Sequence, residues 1–197
     1  QPGIAIDVGA NRGIYSYFMS KHKCGFQQVY AFEPQPSLYP YLQSLKNTFS
    51  LNNLCIVNEG LSSQVGTLKL FFEEEGSGSA SYSNTEHKEN KITTKVNTLD
   101  SFFESTQTPI RFIKCDVEEH ELDVFSGATD LLQRNHPLLL IEIHEKKLLE
   151  GGLTRLLSEI GYKGFFIERG THHPIEDALL VPYRKKTQKH RNYFFSV

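Results

Sequence analysis

A parallel β-sheet covered by helices is the fold class that this sequence predicts, and three observations carry the prediction. Short runs rich in β-branched and aromatic residues alternate with longer stretches of helical period over most of the chain. The first run, in "IAIDVGANRG", ends at Gly9 and Gly13, glycines spaced as a strand needs to turn sharply into a helix. Ordinary apolar and charged content over 197 residues supports one sizeable core, so a single domain spanning 1–197 is expected.

Taken in order, strands are expected at about 3–8, 28–33, 54–58, 111–116, 138–144, 164–168 and 178–182, each a short apolar run bounded by turn residues. Helical patterns fill about 13–22, 36–49, 120–133 and 149–160. Pro109 and Pro137 stand just before two of the strands, where a missing N–H costs little. Region 61–103 departs from the alternation. There "GTLKLFFEEE" and "NKITTKVNTLDSFF" read as the arms of a β-hairpin joined by "GSGSASYSNTEHKE". The joining segment offers little burial against its ordering entropy, which suits a flexible loop, but long loops in compact domains are often functional, which suits a lid near a substrate. No internal repeat is visible.

Composition excludes several classes. A formal net charge of -2 gives no global signature of a polyanion binder, so any basic surface must be local. Cys24, Cys55 and Cys115 are odd in number and lack a C-x-x-C spacing, which argues against a disulfide framework or a zinc site and places the chain in a reducing, cytoplasmic setting. No apolar run approaches the roughly 20 residues that span a bilayer, and no positively charged start precedes an apolar stretch, so a soluble, non-secreted protein is expected. Gln1 lies directly before a predicted strand without a methionine, so an upstream segment is expected to have been removed.

The leading motif limits the ligand. From Gly9 the chain reads Gly-Ala-Asn-Arg-Gly-Ile, which fails the G-x-G-x-x-G pattern that cradles a pyrophosphate. Asp7 puts a carboxylate before the turn, which repels phosphate and favours a cationic ligand such as S-adenosylmethionine. The second strand ends in Glu33 and Pro34, 20 residues beyond Gly13 for the acid, where a carboxylate can accept both ribose hydroxyls of an adenosine-containing ligand. Asp7, Gly9, Ala10, Asn11, Gly13, Glu33, Pro34, the turn Asn58, Glu59 and Gly60, and Asp116 form the expected cofactor set.

On the acceptor side, Lys114, Asp116 and Glu118 share one strand parity in "FIKCDVEEHE", and Glu142 and His144 share one in "LLLIEIH". A carboxylate as deep as Glu142 must be paired or placed at an opening. His144 is the natural general-base candidate because imidazole titrates near neutrality. His120, opening the next helix, is either an exposed first-turn residue or a second candidate. Asp116, Glu142 and His144 also make a hard oxygen and nitrogen set suited to a divalent metal, although nothing in their spacing requires one, and no metal is assigned.

"IDVGANRGIYS", "VYAFEPQPSLYPYLQ", "LNNL", "VNTLDSFF", "FIKCDVEEHELDVFSGATDLL" and "LLLIEIH" occur in an order and spacing that resemble the FkbM family of S-adenosylmethionine-dependent methyltransferases. The resemblance runs from about residue 4 to 144. It implies the class I methyltransferase fold, a Rossmann-like seven-stranded mostly parallel sheet with helices on both faces and the last strand antiparallel. It implies S-adenosyl-L-methionine as cofactor and O-methylation of a hydroxyl on a sugar, glycan or small metabolite, with Asp116, Glu118, Glu142 and His144 facing the acceptor. Where the family usually has glycine after "D-V-E", this chain has Glu119, an extra side chain at a tight spot that would alter the pocket.

The basic run in "YRKKTQKHRNYFF" (184–197 with the residues that follow) could contact RNA phosphates, which keeps an RNA methyltransferase as an alternative. A solvated last stretch is the simpler reading for a net-acidic chain, and nucleic acid is not the expected partner. A cofactor-binding module without catalysis is the other alternative. Nothing in the sequence speaks to oligomeric state.

Overall fold

The computed structural model describes residues 2–74, 76, 78, 80–82, 90–183 and 190–197. The chain runs β1 (Ile4–Val8), α1 (Ile14–Ser20), β2 (Gln28–Phe32), α2 (Tyr39–Thr48), β3 (Leu54–Val57), β4 (Gly60–Leu61), β5 (Gly66–Phe72), β6 (Asn90–Asn97), α3 (Leu99–Phe102) and β7 (Ile110–Cys115). It continues through α4 (Glu121–Ser126), α5 (Thr129–Asn135), β8 (Leu138–His144), α6 (Glu145–Glu150), α7 (Gly152–Glu159), β9 (Lys163–Glu168), β10 (Thr171–Pro174) and β11 (His190–Ser196).

The main sheet has the order β10-β9-β11-β8-β7-β1-β2-β3. Pairings among β3, β2, β1, β7 and β8 are parallel, whereas β11 runs antiparallel to both β8 and β9. All five residues of β1 are buried, as a strand covered on both faces must be. Ile4, Ile6 and Val8 face a large cluster built with Val124, Phe125, Leu131, Leu132 and Leu157, while Ala5 faces a smaller one with Met19, Leu51 and Leu54. Helices therefore lie on both faces.

Several expectations need correction. The sheet has eight strands, not seven, because Thr171–Pro174 adds an antiparallel edge to β9. Its polar sequence gives no strand signal. The signal is the two-residue turn Arg169-Gly170, with φ of 51° and 81°, the left-handed pair that closes a tight hairpin. The strand expected at 178–182 is absent: that stretch follows a short 3-10 turn, Ala178 packs inward, and Leu179 and Leu180 face solvent. The inner position goes instead to β11, so the segment read as a solvated basic tail supplies a strand whose Arg191, Tyr193 and Phe195 are buried in alternation. Residues 184–189 of that basic run lie outside the described residues. Two of the expected helices are broken, into α4 and α5 at Gly127-Ala128 and into α6 and α7 at Gly151.

Within 61–103, β5 and β6 pair antiparallel over seven residues and join β4 in a separate three-stranded sheet. The end of this region, expected as strand, is the helix α3, capped by the Thr98 hydroxyl accepting the Ser101 N–H at 3.0 Å.

Candidate functional site

At the carboxyl ends of β1, β2 and β7 lies a cavity of about 480 Å³, a size typical of small-molecule sites. Its floor is the turn leaving β1. Gly9 N–H and Ala10 N–H donate to the Phe32 carbonyl at 3.1 and 3.0 Å, Asn11 N–H to Glu33 Oε2 at 2.8 Å, and Gly13 N–H to the Ala10 carbonyl at 2.7 Å. These four donors are satisfied within the protein and so are not offered to a ligand.

Gly9 has φ 75°, and a Cβ there would sit 1.9 Å from the Asp116 carbonyl oxygen. Sequence reasoning reserved that space for a ligand; the end of β7 fills it. Gly13, with φ 76°, opens α1 against Leu42 and Leu45 and does not line the cavity.

Glu33 is 4% exposed and does line the cavity. Its Oε1 accepts the Gln35 N–H at 2.9 Å and its Oε2 the Asn11 N–H at 2.8 Å, so the side chain ties the β1 turn to the β2 turn. Burial pushes its pKa up, opposed by those two N–H groups. Each carboxylate oxygen retains a second acceptor site for a ribose hydroxyl. Ala10, Asn11 and Pro34 also line the cavity. Asn58 does not. Its Nδ2 donates to the Glu33 carbonyl at 2.7 Å and secures the end of β2, while Glu59 and Gly60 likewise lie off the lining.

Asp7 is fully enclosed and does not reach the cavity. The register that pairs Asp7 with Lys114 puts both side chains on one sheet face. Lys114 Nζ stands 3.5 Å from Asp7 Oδ1, 3.3 Å from Asp116 Oδ2 and 3.3 Å from the Gly9 carbonyl, and Ser16 Oγ donates to Asp7 Oδ2. At 3.5 Å the Asp7 contact is an ion pair without a hydrogen bond, which leaves Oδ1 lacking a donor. Burial works to lower the Lys114 pKa, but Asp7 and Asp116 outweigh it and hold the amine above its ordinary value. Asp7, expected among the cofactor residues, is therefore engaged by Lys114 and Ser16 behind the cavity lining.

Asp116 and Glu118 line the opposite wall with Lys114 and Val117. Strand parity accounts for Lys114 and Asp116 but not for Glu118, because β7 ends at Cys115 and the backbone turns left-handed at Glu118, φ 50°, and Glu119, φ 71°. A backbone of that conformation is one that glycine adopts without the penalty a Cβ brings. Glu119 points away from the cavity, 4.0 Å from Lys147, so its effect falls on the backbone and not on the pocket. Glu142, next to Asp116, is half-buried. Burial, with Asp116 and Glu118 nearby, raises it to about 7.

His144 has another use. Its Nδ1 accepts the Lys146 N–H at 3.1 Å as the cap of α6, which leaves the proton of the neutral ring on Nε2. In this arrangement no basic nitrogen of His144 faces the cavity, and among the described residues no three His, Cys, Asp or Glu side chains converge as a metal set. His120 is buried, with Nε2 3.0 Å from Ser62 Oγ and Nδ1 3.3 Å from Asp123 Oδ2; burial lowers its pKa against the Asp123 carboxylate.

The remaining wall comes from the segment that sequence left open between a flexible loop and a substrate-proximal lid. Gly76, Gly78, Ala80 and Tyr82, all from the connection between β5 and β6, line the cavity, while 75, 77, 79 and 83–89 lie outside the described residues. Tyr82 is held by Thr94 at 3.1 Å and its hydroxyl is pushed up to about 12 by burial. A Gly/Ser-rich linker carries no pattern that would announce such a wall.

A cavity at the strand ends of this sheet, bounded by a glycine turn on one side and carboxylates on the other, defines an α/β methyltransferase fold. A chain of Methylobacillus flagellatus described as methyltransferase FkbM superposes with a TM-score of 0.65 at 15% identity, covering 98% of this chain and 43% of that one. A Streptococcus mutans protein assigned as a methyltransferase, in complex with SAH, superposes at 0.56 with 11% identity, covering 98% and 88%. Residues 7–178 match the methyltransferase FkbM domain, and the chain belongs to that family. The hexuronic acid methyltransferase AglP of Haloferax volcanii is 32% identical over 157 residues, which are 78% of this chain. This chain spans 60% of the length of that relative. No helix among the described residues is long and apolar enough to cross a membrane.

Proposed function

We propose that this chain is an S-adenosylmethionine-dependent O-methyltransferase acting on a hydroxyl of a sugar or glycan. The observation that carries the reading is one cavity with two unlike walls: the hydrogen-bonded turn Gly9–Asn11 with Glu33, and the carboxylates Asp116 and Glu118. The similarity to a hexuronic acid methyltransferase supports a sugar acceptor.

The residues fit the cofactor. Glu33 keeps acceptor capacity for a ribose, and the wall of carboxylates suits positive charge. When bound, S-adenosylmethionine supplies a methyl carbon already activated by a sulfonium. Asn11, Glu33 and Pro34 would hold the nucleoside, and Asp116 and Glu118 would orient the acceptor hydroxyl for in-line attack. Asp116 would accept the proton that the acceptor hydroxyl gives up as its oxygen takes the methyl group. Glu142, lifted to about 7 and beside Asp116, can store that proton near neutral pH.

Calorimetry with S-adenosylhomocysteine, followed by labelled-methyl transfer to a panel of neutral hexosides, uronates and RNA, tests the reading. Saturable binding with transfer to a sugar hydroxyl is the expected result. Absence of binding, or transfer to RNA alone, overturns it.

A further inference from the structure

Glu121 has no role in the account above, yet it opens α4 at 4% exposure with a titratable group turned inward. Its Oε1 accepts the Val117 N–H at 3.4 Å and the Glu119 N–H at 3.2 Å. Between and beyond those amides the chain passes through Glu118 and Glu119, two successive non-glycine residues in left-handed conformation. Such a path is unfavourable for a residue with a Cβ and persists only where its surroundings over-determine it.

The surroundings are specific. The Asp116 N–H donates to the Val8 carbonyl at 3.1 Å and fixes the entry to the turn. Ser81 Oγ donates to the Glu118 carbonyl at 2.7 Å from the far wall. Glu121 holds the amides on either side of Glu118, so the residues that line the cavity, Asp116, Val117 and Glu118, are strung between three anchors.

We propose that Glu121 is a positioning residue for methyl transfer: by accepting the Val117 and Glu119 amides it keeps the strained turn in the path that presents Asp116 and Glu118 to the acceptor. The inference rests on the proposed function for its catalytic half and on geometry alone for its structural half. One oxygen accepts both bonds, so the task needs an acceptor and not a charge. Burial, with Asp116 adding to it, lifts the Glu121 carboxyl to about 7, so an uncharged side chain that keeps the oxygen suits the site.

Three variants, Glu121→Gln, Glu121→Ala and Glu121→Ala combined with Glu119→Gly, decide the matter. The readouts are amide hydrogen exchange at residues 117 and 119 by NMR, S-adenosylhomocysteine affinity, and kcat and KM on the panel sugar that the wild type methylates. Glu121→Ala is expected to speed both amides by about tenfold or more, and to lower kcat by about tenfold or more with KM and cofactor affinity within about threefold. Glu121→Gln should stay within about threefold of wild type throughout, and glycine at 119, free to adopt the turn, should restore part of the loss. Unchanged kcat in Glu121→Ala, or equal losses in the Ala and Gln variants, overturns the proposal. Should Glu121→Ala not fold, Glu121→Gln decides alone, a kcat loss of about tenfold overturning it and retention supporting it. A wild type that methylates no panel sugar sinks the proposed function, while the exchange data still judge the tether.

Discussion

Asp7 and Asp116 lie on either side of the Lys114 ammonium, at 3.5 and 3.3 Å, yet they belong to opposite kinds of neighbourhood. Around Asp7 and Glu33 each carboxylate is enclosed and answered: Asp7 by Lys114 and Ser16, Glu33 by two backbone N–H groups. Asp116 and Glu118 line a partly open wall, Lys114 pairs with Asp116, and Glu142 stands beside Asp116 just off the lining, so that carboxylates crowd one another. The first arrangement fixes the shape of the turn. The second sets carboxylates close to one another, which lifts Glu142 to about 7 and suits a proton-accepting wall.

The sharpest break comes from Lys114→Met, which leaves Asp7 enclosed without its cation. Removing one partner of a buried pair costs about 3–5 kcal/mol, and urea unfolding should register it. A loss near zero would mean that the two neighbourhoods do not differ as described. Glu33→Ala strikes the answered side alone and should weaken S-adenosylhomocysteine binding by about 1–3 kcal/mol, measured by calorimetry. An unchanged affinity would move the ribose contact elsewhere.

The smallest effect tests the crowded side. With Glu142 raised to about 7 from an ordinary 4.5, the proton-accepting form gains population as pH climbs through 7, so the transfer rate should rise over that interval and Glu142→Gln should flatten the rise. The same shift has a stability consequence. A raised carboxyl contributes stability that is complete below 4.5 and lost as pH rises through about 7, so the unfolding midpoint of Glu142→Gln should lack that decline. Thermal scans at stepped pH check both the direction and the window.

Much of the site was legible. Five parallel strands announce themselves as apolar runs, and their ends carry Asp7, Glu33, Asp116 and Glu142 by parity alone. What parity cannot supply is where a carboxylate's partners come from. Asp7 reads as a ligand contact because Lys114, 107 positions further on in chain order, is invisible from Asp7 until β1 pairs with β7. His144 reads as a base because its capping role depends on a helix that starts at Glu145, one residue after it and four residues before the expected 149.

The amino-acid order by itself determined the alternation of strands and helices, the turn that rejects a pyrophosphate, and the family. These follow from local spacing, since period, glycine placement and motif order act between near neighbours. Only the tertiary structure decided that 190–196 and not 178–182 enters the sheet, that the β5 to β6 connection walls the cavity, and that Lys114 reaches both the enclosed Asp7 and the cavity-lining Asp116. Each of those outcomes depends on residues far apart in sequence competing for one place, where burial and charge pairing choose the winner.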